Sequence, residues 1–331
     1  MRTPQRSKPA TSFDVAELAG VSRSTVSNIL NGNDSRFPAA TRERVLEAAR
    51  ELSYRPSLAG RSLKTGRSDT VVVLLPNTTF FSNLQDTVDE AVARIMPLGG
   101  NVVVRFGSDS SAATLGAISA LRPLAVLAFA PLSVEARTEL ESSGTIVVPG
   151  RIQPNWLDKM PDGGLGDLQA DLLLRRGPRQ LWFAGLRDRR QDVYGPGRVA
   201  TLERYCLERG LRPLKQVVVP LNLDGAVAAL KQIVEGSDGP AGVACYNDDV
   251  ALALLAAARV LGTSVPDDLS VIGVDNVPLG QLWAPRLTTV DPDLPGLVAG
   301  YAAELQARML GEEPWQSLPP HNFKVIEGET T

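Results

Sequence analysis

Histidine is nearly absent from this sequence: His321, near the carboxyl terminus, stands alone and far from any motif. A triad or proton relay built on imidazole is therefore not available, nor is a histidine-based metal cluster. Cysteine is almost as scarce. Cys206 and Cys245 show no metal-ligand or redox spacing, so they read as small buried apolar residues of a protein in a reducing cytoplasm. No apolar run reaches the roughly 18 residues that a membrane span needs. The opening MRTPQRSKPA is polar and basic without an apolar core, which reads as a disordered tail over residues 1–10 and not as a secretory signal. The segment Asp162-Gly163-Gly164-Leu165-Gly166-Asp167 lacks dinucleotide-binding spacing and reads as a loop. The final HNFKVIEGETT carries no heptad repeat, which argues against a coiled-coil tetramer. These absences leave no catalytic residue, metal ligand or cofactor to name, and the expectation is that the protein is not an enzyme.

What is present is unevenly spread. A chain of 331 residues, 44% hydrophobic, implies two or more globular domains. The net charge of −3 conceals a division. Residues 1–68 hold 12 Lys or Arg against 6 Asp or Glu, a net of +6, so the remainder carries −9. A basic head on an acidic body points to one surface that meets nucleic acid and a body that nucleic acid repels.

The head contains TSFDVAELAGVSRSTVSNILN (11–31). Thr11 and Asp14 have the spacing of a capping box, and Val15, Leu18 and Ala19 fall on one face of a first helix. Gly20 ends it, and Ser22 suits the N-cap of a second helix whose Val26, Ile29 and Leu30 point inward. Arg23, Ser24, Thr25, Ser27 and Asn28 remain outside. Nearly all of them donate hydrogen bonds and none is acidic, which suits phosphates and base edges. Two short helices and a tight turn are the form in which proteins present a helix to the DNA major groove, although an ordinary surface hairpin would share the pattern. Pro38–Ser53 reads as a third helix with Val45, Leu46, Ala49 and Leu52 as its stripe. Tyr54-Arg55-Pro56 closes the unit, because a residue before proline avoids helical angles.

Beyond the short basic SLAGRSLKT (57–65), apolar β-branched runs alternate with helical stretches. Strands are expected at Thr70–Leu75, Asn101–Phe106, Ala125–Phe129, Thr145–Val148, Gln180–Ala184, Gln216–Val219, Val243–Tyr246 and Ser270–Val274. Helices are expected at Asn83–Met96, Gly166–Arg176, Arg198–Glu208, Leu223–Ile233 and Asp248–Leu261. Such alternation specifies an α/β fold with parallel sheets covered by helices, and ligands in such folds lie at the carboxyl ends of strands. The strands are too many for one compact sheet, so two lobes with a cleft are expected.

Several segments carry a resemblance to a known family. They are DVAELAGVSRSTVSNILNG, TRERVLEAARELSYRPS and GRSLKTGRS in the head, and VPDDLSVIGVDNVPLG (265–280), APRLTTV (284–290) and Tyr246-Asn247-Asp248 in the body. Over nearly its whole length the chain resembles the LacI/GalR family of bacterial transcription regulators. The resemblance implies a three-helix helix-turn-helix head over 11–56, a hinge helix and linker over 57–68, and a periplasmic-binding-protein-like core over 69–331. In that core, lobe 1 would span 69–159 and 291–320, and lobe 2 would span 160–290 and 321–331. It implies a homodimer on a pseudo-palindromic DNA operator, repression of transcription, and control by a small molecule between the lobes, with a sugar-like effector favoured.

By the same resemblance Arg23, Ser24 and Asn28 read bases, while Ser22, Thr25, Ser27 and Asn31 hold phosphates. Arg suits guanine O6 and N7, and Asn suits adenine N6 and N7. Ser22 serves equally well as a cap alone. Leu63, between Ser62 and Lys64, corresponds to a hinge leucine that wedges into the minor groove; an apolar anchor against the core is the alternative. Lys64 joins it in the DNA contact. Gly60, where the family usually has alanine, weakens the hinge helix by about 1 kcal/mol. For the effector the resemblance implies Arg198, Asn247 and Asp275, with Arg151 and Phe80 nearby. Asn247 and Asp275 also suit a purely structural role in closing turns. Gly150 replaces the usual aspartate before Arg151, Met160-Pro161 replaces Asp-Asn, Pro178 replaces a histidine, and Leu221-Asn222-Leu223 lacks a large aromatic. These departures keep open an alternative in which the cleft is degenerate and regulation does not depend on a ligand.

Overall fold

The computed structural model describes residues 10–30, 34–52, 54, 68–77, 83–107, 111–130, 132–150, 164–177, 179–187, 194–313 and 323–331. The chain divides into two units, Met1–Asp69 and Thr70–Thr331.

The first unit holds α1 (Ser12–Ala19), α2 (Arg23–Leu30) and α3 (Ala39–Glu51). The capping box forms: the Asp14 amide donates to Thr11 Oγ1, and the Thr11 amide donates to the Asp14 carboxylate at 2.6 Å. Gly20 ends α1 in the left-handed region at φ 64°, where a residue with a Cβ would be strained. Val15, Ala16, Ala19, Val26, Ile29, Val45, Ala48 and Ala49 make one small core.

Two expected core residues lie elsewhere. Leu18 is 48% exposed and Leu46 is 46% exposed. Both lie about 105° around their helix from the centre of the buried residues, given 3.6 residues per turn. The centre is displaced because alanines 16, 19, 48 and 49 let these short helices approach closely, and the close approach fixes which face is inside.

The second unit contains two sheets. The first is four-stranded and parallel, with β1 (Thr70–Leu75), β2 (Asn101–Phe106), β3 (Ala125–Ala128) and β4 (Ile146–Val148) in the order β2-β1-β3-β4. Every residue of β1 is buried, as its unbroken run TVVVLL requires. The second is six-stranded, with β5 (Gln180–Leu186), β6 (Lys215–Val219), β7 (Ala241–Cys245), β8 (Leu269–Val274), β9 (Thr288–Asp291) and β10 (Lys324–Ile326) in the order β10-β9-β8-β7-β5-β6. Only the β9–β10 pair is antiparallel.

Helices α4 (Asn83–Ile95), α5 (Ser111–Ser119) and α6 (Val134–Ser142) belong with the first sheet. Helices α7 (Leu165–Leu173), α8 (Gly195–Glu208), α9 (Leu223–Glu235), α10 (Asp248–Leu261) and α11 (Pro278–Leu282) belong with the second. The chain then returns: Leu297, Val298, Tyr301 and Leu305 of α12 (Leu294–Met309) join Val71, Val73 and Leu75 in the core of the first sheet. The pieces α5, α6, α11, α12, β9 and β10 were not singled out from the sequence. The helix expected at Gly166–Arg176 runs from Leu165 to Leu173.

The head core is small enough for one deletion to matter. Ile29→Ala should remove about 2–4 kcal/mol from the head. Calorimetry of the full chain should then show the head transition lost and that of the second unit unchanged; an unaltered head transition would contradict this account of its core.

Candidate DNA interface and effector cleft

Helix α2 presents its polar residues in one arc. Val26 and Ile29 are buried, Arg23 and Ser24 are exposed, and Thr25, Ser27 and Asn28 are half-buried. At 100° per residue, Arg23, Ser24, Ser27 and Asn28 share one face of about 140°. Ser22 caps the helix: its Oγ accepts from the Thr25 amide at 3.1 Å, and its carbonyl accepts from the Val26 amide at 3.1 Å. The same Oγ lies 2.7 Å from Ser24 Oγ and 2.9 Å from Thr25 Oγ1, so three hydroxyls cluster at the positive end of the helix dipole. Such an end, beside an arginine and without an acidic residue in its first turn, attracts a phosphate. The capping role of Ser22 is present whether or not it also touches DNA. Asn31, Leu63 and Lys64 lie outside the described residues.

In the second unit, Arg198, Asn247 and Asp275 come together at the carboxyl ends of β7 and β8. Arg198, in the first turn of α8, is buried and donates from Nη1 to the Tyr246 carbonyl at 2.6 Å. Its guanidinium also lies 5.7 Å from the centre of the Tyr246 ring. Asn247 is buried and caps α10, with Oδ1 accepting from the Val250 amide at 3.1 Å. Asp275 follows β8, half-buried, with φ 107°; Asn276 follows at φ 52°. Two successive non-glycine residues at positive φ cost on the order of 1–2 kcal/mol each, so the surroundings must hold the turn.

The residue that holds it is Asp248, which sequence reasoning did not select. It is fully buried at the first position of α10. Its carboxylate accepts from the Val277 amide at 2.8 Å and from the Thr289 hydroxyl. The Asp275 amide donates to the Val290 carbonyl at 2.9 Å, and Asn276 Nδ2 donates to Asp291 at 3.1 Å. Gly273 is required here, because a Cβ would lie 2.0 Å from Asp248 Oδ1. Tyr194 and Tyr301 were also missed. Tyr194, the N-cap of α8, lies four residues before Arg198, a helical spacing that points to it. Tyr301, from α12, stacks on Phe129 with centroids 4.6 Å apart.

Electrostatics tie these groups together. Burial, with the charge of Asp248 added and Arg198 opposing, pushes the Asp275 carboxyl up to about 8. Burial pushes Asp248 up to about 7, against the Thr289 and Val277 hydrogen bonds. Tyr194 is raised well above its ordinary range by burial and by its neighbours Tyr246, Asp275 and Tyr301. Its neighbours thus include Tyr301 of α12, a helix that packs on the first sheet. Phe80 and Arg151 lie outside the described residues. Among those residues no cluster of potential metal ligands occurs, and no helix is long and apolar enough to cross a membrane.

Comparison with known proteins agrees with this geometry. The sequence matches the bacterial regulatory proteins of the lacI family over residues 13–57 and the periplasmic binding protein-like domain over residues 170–331. The HTH-type transcriptional repressor PurR of Vibrio atlanticus (strain LGP32) is 32% identical over 297 residues, covering 85% of this chain and 86% of the relative. PurR of Vibrio vulnificus (strain CMCP6) is 30% identical over 301 residues, with the same shares covered. Among solved structures, the lac repressor dimer bound to operator and the anti-inducer ONPF has a TM-score of 0.76 at 22% identity, covering 98% of this chain and 99% of that one. A LacI-family regulator from Silicibacter pomeroyi has a TM-score of 0.77 at 23% identity, covering 97% and 99%.

The chain therefore belongs to the LacI family of bacterial regulatory proteins. It is a DNA-binding transcription regulator of the repressor type, with a helix-turn-helix head and a periplasmic-binding-protein-like core.

Both raised carboxyls bind protons more tightly in the folded chain than in the unfolded chain. Their contribution to stability is complete below about pH 4 and is lost as pH rises toward 7 and 8, by at most about 1.4 kcal/mol per pH unit for each group. Asp275→Asn keeps the neutral form at all pH values. Urea denaturation from pH 4 to 9 should show wild type losing stability relative to this variant up to about pH 8 and running parallel above it; parallel curves throughout would reject the raised value.

Proposed function

We propose that the protein is a cytoplasmic homodimeric repressor that binds a pseudo-palindromic operator and releases or grips it in response to a small polar molecule between two lobes. The observation that carries the DNA reading is the α2 face: an arginine, an asparagine and hydroxyls side by side, with no carboxylate among them, over a serine-capped helix end. Arg23, Ser24 and Asn28 read bases, and Ser22, Thr25, Ser27 and Asn31 hold phosphates. Leu63 and Lys64 act at the operator centre. Protein two-fold symmetry requires matching half-sites in the DNA. An apolar groove between α9 and α10, lined by Leu221, Leu223, Ala253 and Ala256, offers surface for a second copy, and Leu282 is 81% exposed. The relatives named above are repressors and not enzymes, which supports regulation over catalysis.

For the effector, Asp275 is the favoured contact. A sugar hydroxyl or a similar donor would approach it from the open side of the strand end, with lobe 1 taken as 69–159 and 291–320 and lobe 2 as 160–290 and 321–331. Arg151 and Phe80 complete this reading. Arg198 and Asn247 frame the site: the arginine spends donors on carbonyls and the asparagine spends Oδ1 on a helix cap. That expenditure also favours the second reading, a DNA-binding regulator whose cleft takes no ligand. A thermal-shift screen with sugars separates the two, since a specific ligand raises stability as its concentration passes the dissociation constant.

Binding selection from a random DNA pool should return a palindrome. On that site Asn28→Ala should cost about 1–3 kcal/mol and relax the preference at one base pair per half-site. A uniform loss across operator variants would place Asn28 on phosphate instead.

Asp275→Ala should leave operator affinity intact and abolish the response to any molecule found in the screen. A retained response would remove Asp275 from the effector site.

A further inference from the structure

The six-stranded sheet has a second end. Its carboxyl end carries Asn247 and Asp275. At its amino end, Arg179 precedes β5, Pro240 precedes β7 and Asp267 lies just before β8. These residues, with Arg176 and Gly177, line a cavity of about 490 Å³. That volume lies within the range of small-molecule sites, and the cavity is separate from the effector cleft.

Arg179 is only 8% exposed. Its Nη1 donates to the Asp267 backbone carbonyl at 2.9 Å, while its Nε is buried without a partner. A guanidinium carries five donors and a full charge, and such groups when buried are normally held by an anion. The Asp267 and Asp268 carboxylates favour its charge from nearby, but among the described residues no carboxylate accepts a hydrogen bond from it. The Asp267 side chain is turned mostly to solvent, with Oδ1 3.8 Å from Arg176 Nη1, beyond hydrogen-bonding distance. Burial, and after it the nearby charge of Arg176, oppose the protonated form of Arg179 against the pull of Asp267 and Asp268, and Arg176 spends Nε on the Thr331 carbonyl at 3.1 Å. Two guanidinium groups thus share one cavity wall, one of them desolvated and incompletely paired. This arrangement suits an anion that accepts several hydrogen bonds at once.

We propose that this cavity is a second ligand site that binds a phosphate group, free or carried by a small metabolite, between Arg176 and Arg179. Asp267 stands at the rim and opposes the incoming charge. Removing it strengthens the site, and removing Arg176 weakens it. The site does not depend on what the effector cleft binds.

The test is calorimetric titration of the full-length protein with inorganic phosphate, with ionic strength held constant by chloride. Saturable binding is expected. Arg176→Gln should weaken it by about tenfold, the usual scale for one charge-assisted contact. Asp267→Asn should tighten it severalfold, and Asp275→Asn in the effector cleft should leave it unchanged. Both rim positions are exposed, so these variants keep the fold. Glycerol 3-phosphate, titrated in the same way, distinguishes a phosphomonoester site from one for the free ion. No saturable heat with either compound, equal affinities in wild type, Arg176→Gln and Asp267→Asn, or loss of binding in Asp275→Asn would each overturn the assignment.

Discussion

The carboxyl end of the six-stranded sheet depends on a buried carboxylate. Asp248 begins α10, accepts from the Val277 amide and the Thr289 hydroxyl, and lies over a glycine whose missing side chain makes room for it. Burying a carboxylate is costly unless its oxygens are well hydrogen-bonded. Here the cost is offset by contacts to the segments that follow β8 and open β9. Those contacts hold Asp275 and Asn276 in the left-handed region, which neither residue favours alone. Asn247, Asp248 and Asp275 therefore act as one assembly at the ends of β7 and β8.

The two units solve different physical problems. The head buries a small core made largely of alanine and valine and leaves a hydrogen-bonding helix face to the outside. A core of that size leaves little stability in reserve, so each side chain in it counts. The larger unit buries two sheets and can carry buried ionisable groups at their ends. A net charge of +6 over residues 1–68 and −9 over the rest lets one chain attract nucleic acid at one place only.

Much of this was legible in the sequence where the signals are local. The capping box of Thr11 and Asp14, the break at Gly20 and the cap at Ser22 each span four residues or fewer and stand as the sequence implies. The continuous apolar runs of β1 and β8 mark strands buried on both faces. The weaker pieces were harder to see. β9 and β10 are only four and three residues long and depend on their neighbours for pairing. Leu18 and Leu46 fit an apolar stripe by spacing alone, but alanine contacts between helices turned the buried face away from them.

What the sequence by itself determined is the strand–helix alternation that sets the type of fold, the basic head and the polar face of α2, because helix periodicity, caps and charge are properties of neighbouring residues. The tertiary structure alone decided which polar groups meet and which state of protonation they prefer. Asp248 and Thr289 stand 41 positions apart, and Arg198 reaches a carbonyl 48 positions away. Whether Arg179 finds an anion, and whether Asp275 is charged, depends on the local dielectric and on distances that exist only after the strands have paired. Chain order carries no direct record of either.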